Sequence, residues 1–463
     1  MSPARGVPAK GDPAGSGSLY ALYAITVISS AAGNLSQTAV NAMLPGIAAD
    51  FGVGVGVAQW VTTGYMLMLG LIVPLSTFLQ RRVCMRTHIL VSNVLFVVGA
   101  LASLFAPAFW CLFVGRLMQA MSVGIMMPLM QTIAVTRFPQ GRRATAMGVA
   151  GIAMGFAPNI GPTVGGAMDY AFGWRSFFVL LVAVGVALIV TTLCAVRRGE
   201  SMFPDARFDV LSFALSTLGF GGLLLGISNA SSMGVNPALI AGPIVAGALF
   251  LVAFFLRQKR IEQPLVHLSI FSSDRYVRGL VALMLHFGAF MGITLVIPLY
   301  VENLCGGTSL DAGMVLFPAT FVALVMNPVG GIATDRFGVK PVCRVLVVVM
   351  LVGALAEATV DASTPLWLVA LYQTVRAIGI SGLIGPLQAW CLGGLEPRLV
   401  PDGSATAVLL RQAAASFGTS VMVLITEAVA VLDVPAALPY QLSFGFSALL
   451  VAILAVFAFA RVK

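Results

Sequence analysis

Long apolar runs separated by short polar loops dominate the chain. Runs of about 20 residues with almost no charge are long enough to cross a bilayer as helices. The sequence contains fourteen such segments: residues 20–44, 58–80, 88–106, 109–136, 144–168, 174–196, 208–228, 237–256, 277–300, 309–333, 342–360, 365–391, 404–430 and 440–460. We therefore predict an all-α polytopic membrane protein with fourteen transmembrane helices.

The composition supports this fold class and excludes several functions. Of the 463 residues, 59% are hydrophobic and 9% are charged, whereas a soluble domain carries about 25% charged residues. The net charge of +9 comes from Lys and Arg dispersed among loops, which does not indicate nucleic-acid binding. The six cysteines are scattered, and no nucleotide-binding, hydrolase or zinc motif is present. We expect no enzyme activity, no cofactor and no metal site.

The charged loop residues alternate along the chain. Lys and Arg follow the even-numbered segments. The loops after odd-numbered segments contain one basic residue, Arg175, and a set of acidic residues: Asp50, Asp169, Glu302, Asp311, Asp361 and Asp433. Because basic loops remain in the cytoplasm, both termini are predicted to be cytoplasmic. An odd error in the segment count would destroy this segregation.

The fifth segment combines hydrophobicity with residues that weaken a helix. It contains two pairs of glycines four residues apart, which allow close helix packing, and two prolines, which kink a helix. The residues expected to permit movement are Gly151, Gly155, Pro158, Gly161, Pro162, Gly165 and Gly166. Each carbonyl that loses its donor must find another partner inside the bundle.

Two stretches repeat across the chain. PLSTFLQRRVCMR from Pro74 aligns with PVGGIATDRFGVK from Pro328, and GIMMPLM from Gly124 aligns with GLIGPLQ from Gly382. This predicts two similar six-helix bundles that enclose a cavity at the middle of the bilayer. We expect a disordered cytoplasmic tail at residues 1–18, a first bundle at 19–200, two inserted helices with linkers at 201–275, and a second bundle at 276–463.

These motifs resemble a known family. The glycine–proline stretch, GGIATDRFGVK (330–340) and RLMQA (116–120) resemble motifs of the major facilitator superfamily. LSQTAVNAMLP (35–45), the Trp174–Arg175 pair, FDVLSF (208–213) and SATAVLLRQ (404–412) are similar to its fourteen-span drug:proton antiporters of the EmrB/QacA type, especially the lincomycin-resistance branch. The resemblance implies a multi-pass exporter of the bacterial inner membrane. It also allows a periplasmic adaptor protein as partner, which the sequence itself does not show.

The chain departs from this family at two positions. Ser36 stands where the family usually has Asp in the first span, so a proton site there is in doubt. Arg81 stands where the first loop motif has Asp. We therefore expect the interaction made by this loop motif, which we call the latch, mainly in the second half, at Asp335 and Arg336.

Ionisable residues within the spans are costly and thus candidates for function. Those considered for proton coupling are Glu427, Arg116, His286, Arg376 and Glu357, with Arg411 a further in-span cation. Glu427 is the first choice for the proton carrier, because desolvation favours a bound proton. The alternative for Glu427 is a side chain that reaches the outer lipid headgroups. For Glu357, this alternative is the favoured interpretation. Structural hydrogen bonding is the alternative for Arg116 and His286.

Candidate substrate contacts lie in five spans. A polar face in the first span includes Asn34, Gln37, Thr38 and Asn41, which either line the cavity or join helices. Deformable or aromatic side chains suited to varied ligands are Met126, Phe290, Trp390 and Phe417.

The sequence favours a proton-coupled antiporter that exports hydrophobic or cationic drugs by alternating access, with small substrates, protons and the lipid bilayer as its partners. Export of a specific endogenous metabolite, lipid or peptide is an alternative. A membrane sensor or scaffold without transport is an alternative of another class.

Overall fold

The computed structural model describes residues 16–197, 209–230, 237–261, 264–432 and 434–462, and no strand occurs within them. Residues 1–15 of the expected tail, the basic residues Arg198 and Arg207, and Asp433 lie outside the described residues.

Each of the fourteen apolar segments corresponds to one helix. The helices are α1 (Ser16–Phe51), α2 (Trp60–Arg82), α3 (Met85–Leu104), α4 (Phe109–Thr136), α5 (Arg143–Gly151, Ile152–Phe156 and Ala157–Phe172), α6 (Arg175–Ala195), α7 (Val210–Ala230), α8 (Pro237–Gln258), α9 (Asp274–Met291, Ile293–Leu299 and Tyr300–Leu304), α10 (Ser309–Phe337), α11 (Val339–Glu357), α12 (Leu366–Leu392), α13 (Val400–Ala430) and α14 (Leu438–Arg461). Short helical turns lie at Val55–Ala58, Gln140–Arg142, Leu268–Ser272 and Pro397–Leu399. Among the described residues, thirteen helices, the segmented α9 included, are long and apolar enough to cross a membrane. The fourteenth crossing, α5, is interrupted within its own length.

The two ends of the bundle differ in charge. We call the end with the loops after even-numbered helices the basic end, and the opposite one the acidic end. Odd-numbered helices run from the basic to the acidic end, and even-numbered helices return.

The interruption of α5 falls in the glycine–proline stretch. Residues Ile152–Phe156 form one turn of π-helix, immediately before Pro158. Pro162 lacks an N–H group and leaves the Pro158 carbonyl without its helical donor. Thr38 in α1 supplies a replacement, because its hydroxyl donates to the Pro158 carbonyl at 2.7 Å. The prediction that a freed carbonyl finds a partner inside the bundle is confirmed at this position.

Glycines of α5 bring its backbone against two different partners. Toward the basic end, side chains at Gly148 or Gly151 would collide with Asn327 of α10, in the opposite half. Toward the acidic end, a Cβ atom at Gly165 would collide with the Ala39 carbonyl of α1, in the same half. The π turn therefore lies between a segment that binds the second bundle and a segment that belongs to the first.

The inserted helices α7 and α8 form a pair beside the main bundles. Gly222 of α7 permits close contact with the backbone of Pro243 in α8. On its other side, α7 lies against α2, where Leu224 is 3.2 Å from a Cβ position at Gly70. Ser420 of α13 donates to the Ile227 carbonyl at 2.9 Å. The pair thus covers the boundary between α2 of the first bundle and α13 of the second.

The close approach of α1 and α5 generates a matched test at two adjacent glycines. Gly165→Ala would force the Ala39 backbone to move, so we expect it to lower the free energy of unfolding by about 1–3 kcal/mol. At Gly166 the nearest atom to a new Cβ is Ala42 Cβ at 3.7 Å, so Gly166→Ala should change stability by less than about 0.5 kcal/mol. Thermal melting in detergent measures both. Equal effects at the two positions would contradict this packing.

Candidate functional site

Arg116 of α4 is fully buried among uncharged groups. Its Nη1 donates to Ser36 Oγ at 2.5 Å and to Gln119 Oε1 at 2.8 Å, and its Nη2 donates to the Ser36 carbonyl at 3.0 Å. The guanidinium carbon lies 4.2 Å from the centre of the Tyr65 ring. Arg116 therefore contacts Ser36, the residue that stands where the family usually has Asp. The first bundle carries a buried positive charge there that no described carboxylate neutralises.

Arg376 of α12 is also fully buried but has an anionic partner. Its Nη1 forms an ion pair with Glu357 of α11, and its Nη2 donates to Ser447 Oγ of α14. The same Nη2 donates to the Ala289 carbonyl of α9 at 2.8 Å. One arginine thus joins four helices of the second bundle. Each bundle thus has a similar buried arginine, but within the described residues only Arg376 of the second bundle is paired with a carboxylate.

The favoured interpretation of Glu357 was wrong. Its side chain does not reach the outer headgroups, because it is 1% exposed and paired with Arg376. The next carboxylate along the chain, Asp361, lies in the loop after α11. Hydrogen bonds from Ser363 and Thr364 hold the pKa of Asp361 below its usual range, so that group stays ionised at neutral pH. Glu357 is the buried carboxylate of this region.

Glu427 and His286 occupy different surroundings. Glu427 lies in the last turn of α13 near the acidic end, half-buried, and its Oε2 has no hydrogen-bond partner within the described residues. His286 of α9 is fully buried, and neither ring nitrogen has a partner in the described part of the chain. The structure does not pair Glu427 with a cation, as it does Glu357.

The polar face of α1 divides into two groups. Asn34 donates to the Ser30 carbonyl of its own helix at 2.8 Å, and Thr38 donates to Pro158. Asn34 therefore bonds within its own helix, whereas Thr38 joins α1 to α5, and substrate contact by either side chain remains a prediction. Gln37 is half-buried and Asn41 is exposed, and these two remain candidates.

The apolar candidates are also divided. Met126, Phe290 and Trp390 are at most 4% exposed, whereas Phe417 is 54% exposed. Phe290 stacks edge to face on Phe287, with ring centres 6.3 Å apart. The first three belong to the buried core in this state, and Phe417 lies apart from them.

Carboxylates join the two bundles at the basic end. Asp335, at the end of α10, accepts hydrogen bonds from the backbone N–H groups of Ala144 at 3.1 Å and Thr145 at 2.7 Å. It thereby satisfies unpaired donors at the start of α5, where an anion is favoured. Arg336 is exposed beside the Phe337 ring and is not part of this contact.

The equivalent contact of the first bundle uses the opposite charge. Arg81, at the end of α2, donates to Asp402 in the first turn of α13 at 2.5 Å. His267, from the segment before α9, lies 2.9 Å from the same carboxylate. The expectation that the latch lies mainly in the second half was therefore wrong. Arg81 of the first bundle binds a carboxylate that comes from the second bundle, Asp402 of α13.

The remaining hydrogen bonds between the bundles lie in the basic-end half of the helices. Thr132 of α4 and Ser404 of α13 have their hydroxyl oxygens 3.0 Å apart. Gln388 of α12 and Arg411 of α13 both donate to Met154 in the π turn of α5. Among the described residues, the hydrogen bonds and ion pairs between the bundles lie in the basic-end half of the helices, from Asp335 and Asp402 at the end itself to Arg411 and Met154 near the middle. The structure is therefore closed at the basic end.

Sequence reasoning missed Asp402 and His267, and it left Arg411 without a role. Asp402 follows a proline at the start of a segment, which is a common signal for a helix start. Its partner Arg81 is more than three hundred residues away, and no local signal could identify the pair.

Comparison with known proteins agrees with this geometry. The family model described as Major Facilitator Superfamily matches residues 26–419. The chain belongs to the major facilitator superfamily.

Curated relatives within the superfamily include transporters and resistance proteins. The chain is 34% identical to the uncharacterized MFS-type transporter YhcA of Bacillus subtilis, over 84% of this chain and 73% of the relative. It is 30% identical to the lincomycin resistance protein LmrB of Listeria monocytogenes, over 86% and 84%. It is 24% identical to the multidrug export protein EmrB of Escherichia coli, over 84% and 76%. The predicted branch is confirmed.

Solved structures support the major facilitator fold. The proton:xylose symporter XylE has a TM-score of 0.65 at 14% identity, with 97% of this chain and 96% of XylE covered. The human organic anion transporter MFSD10 has a TM-score of 0.67 at 14% identity, with 94% and 99% covered. These proteins are transporters, and this chain is not an enzyme.

The uncompensated charge of Arg116 generates a test at its neighbour. Ser36→Asp would place a carboxylate beside the guanidinium, so we expect a free energy of unfolding about 1–3 kcal/mol above that of Ser36→Asn. Thermal melting of the two variants side by side checks this, because both side chains have similar volume. An Asp variant no more stable than the Asn variant would contradict the assigned contact.

Proposed function

We propose that this protein is a proton-coupled exporter of amphipathic, drug-like compounds that works by alternating access. The single observation that carries the proposal is the distribution of hydrogen bonds and ion pairs between the bundles, which in the described residues lie in the basic-end half of the helices. Two bundles joined in one half of their length by a few separable contacts are suited to opening at either end in turn. Under the orientation expected from the basic loops, this state is closed to the cytoplasm.

The relatives support export of drugs. LmrB and EmrB are named for lincomycin resistance and multidrug export, respectively. The chain covers more than two thirds of each relative. We assign this protein the same direction of transport and the inner membrane of a bacterium, with both termini in the cytoplasm.

The Glu357–Arg376 pair is the best-placed group for proton coupling. The ion pair is buried, and Glu357 Oε1 has no hydrogen-bond partner in the described part of the chain. A proton on Glu357 removes the anion that balances Arg376, whose other bonds hold α9 and α14. Protonation of Glu357 therefore changes the charge balance at the contacts that Arg376 makes with α9 and α14. Glu427 has no such partner and is the competing candidate.

The cycle follows from these positions. Compound enters from the cytoplasm when the basic-end contacts are open. The bundles then rock at the π turn of α5, which closes the basic end, and compound leaves at the acidic end. A proton from the outside binds Glu357 and is released inside after the reverse motion. Each proton moving inward supplies about 2.3 kcal/mol per 100 mV of membrane potential.

Paired substitutions distinguish the two carboxylates. Glu357→Gln should reduce pH-gradient-driven accumulation of rhodamine B or lincomycin in proteoliposomes by more than tenfold, because the side chain can no longer bind and release a proton. Downhill equilibration of the same compounds should persist. Glu427→Gln is the matched control and should remain within about twofold of the unmodified protein.

Two results would contradict the assignment. Normal gradient-driven accumulation by Glu357→Gln would exclude it as the proton site. Loss of coupling in Glu427→Gln alone would transfer that role to Glu427.

A further inference from the structure

Arg411 of α13 is a third buried arginine, 4% exposed, and it lacks the oxygen partners of the other two. In the described part of the chain its hydrogen-bond acceptors are two thioether sulfurs. Nη1 donates to Met154 Sδ at 2.8 Å, and Nη2 donates to Met127 Sδ at 3.8 Å. The guanidinium carbon also lies 4.8 Å from the centre of the Phe287 ring. Sulfur is a weak acceptor, so this charge is poorly compensated.

Donors from two further helices converge on the same sulfur atom. Gln388 Nε2 of α12 lies 3.3 Å from Met154 Sδ, and Gln131 Nε2 of α4 lies 3.7 Å from it. Three side chains from α4, α12 and α13 are thus directed at one point. An anionic oxygen at that point would accept these bonds far better than a thioether does.

Unused hydrogen-bonding capacity is concentrated around this point. The amide oxygens of Gln131 and Gln388 have no partner within the described residues, and neither ring nitrogen of His286 has one. His286 lies beside Phe287, with ring centres 5.4 Å apart, and Phe287 contacts Arg411. Buried polar atoms are normally paired, so a group of unpaired ones around a buried charge indicates a ligand site.

The balance of buried charge identifies the kind of ligand. Arg376 is paired with Glu357, whereas Arg116 and Arg411 have neutral partners in the described structure. Glu427 lies 16 residues along the same helix from Arg411, or about 24 Å away. The middle of the protein therefore carries net positive charge, which opposes a cation and favours an anion.

We infer that Arg411, together with Gln131 and Gln388, binds a carboxylate group of the transported compound. This inference rests on the proposed transport function and narrows the expected hydrophobic or cationic drugs to compounds that also carry a carboxylate. Met154 occupies the site in the state closed at the basic end. Because Met154 lies in the π turn of α5, separation of α5 from α12 and α13 withdraws its flexible side chain and presents the three donors to the cytoplasm.

A carboxylate built into the protein tests the site without any transport assay. Met154→Glu places an anion beside Arg411, and Met154→Gln is the uncharged control of similar size. We expect Met154→Glu to melt several degrees above Met154→Gln in the unmodified background, and below it when Arg411→Gln is also present. Equal melting temperatures of the Glu and Gln variants in both backgrounds would overturn the inference.

Equilibrium binding of two dyes supplies the second test. Rhodamine B and its ethyl ester share a cationic ring system and differ in the free carboxylate. We expect the protein in nanodiscs to bind rhodamine B more tightly. Arg411→Gln should weaken rhodamine B binding at least tenfold and ester binding less than twofold, and Arg411→Lys should retain the preference.

Equal losses for the two dyes, or no preference in the unmodified protein, would overturn the inference. Binding is measured without a gradient, so it does not depend on proton coupling. Loss of coupled transport in Glu357→Gln therefore leaves this result interpretable, and a failure here leaves transport untouched.

Discussion

The close approach of the α5 backbone to helices of both bundles is the constraint on which this structure depends. Side chains at Gly148 or Gly151 would push α10 away, and one at Gly165 would push α1 away. A helix that packs this tightly resists sliding, so in the proposed cycle the bundles separate at the basic end by rocking, with bending at the π turn of α5. The π turn at Ile152–Phe156 is located between the two contact regions. This location connects the packing of both bundles to the rocking motion that we propose.

The buried charges are arranged around the same helix. Met154 of the π turn is the acceptor for Arg411, and Thr38, which bonds Pro158 of α5, lies two residues after the Ser36 that contacts Arg116. In the second bundle, Arg376 is neutralised by Glu357 away from α5. The buried charges are therefore asymmetric: the second bundle holds the buried carboxylate Glu357, whereas Arg116 of the first bundle and Arg411 at the interface have neutral partners.

Much of the architecture could be predicted because the bilayer restricts the chain so strongly. Fourteen apolar segments, the alternation of basic and acidic loops, and the interruption of α5 follow from hydropathy, loop charge and the spacing of Gly and Pro. The buried arginines could be recognised as candidates because a charge within an apolar run is rare. Their partners could not, since Glu357 lies at a helix end where the sequence favoured a headgroup position.

The contacts that close the basic end were hidden for a different reason. Arg81 was read as the loss of an acidic latch residue, yet it binds an acid that α13 supplies at Asp402. When the basic and acidic partners of an ion pair lie this far apart in the chain, neither position shows a local sequence pattern that identifies the other. The same applies to Met154, whose role as an acceptor depends on three other helices meeting at one sulfur atom.

The most direct measurement of the central claim is a reversible cross-link at the basic end. Thr132 and Ser404 have their hydroxyl oxygens 3.0 Å apart across the two bundles, so Thr132→Cys with Ser404→Cys, in a background without the native cysteines, should form a disulfide. Alternating access predicts that oxidation abolishes transport of rhodamine B in proteoliposomes and that reduction restores it. Undiminished transport by the fully cross-linked protein would contradict the account.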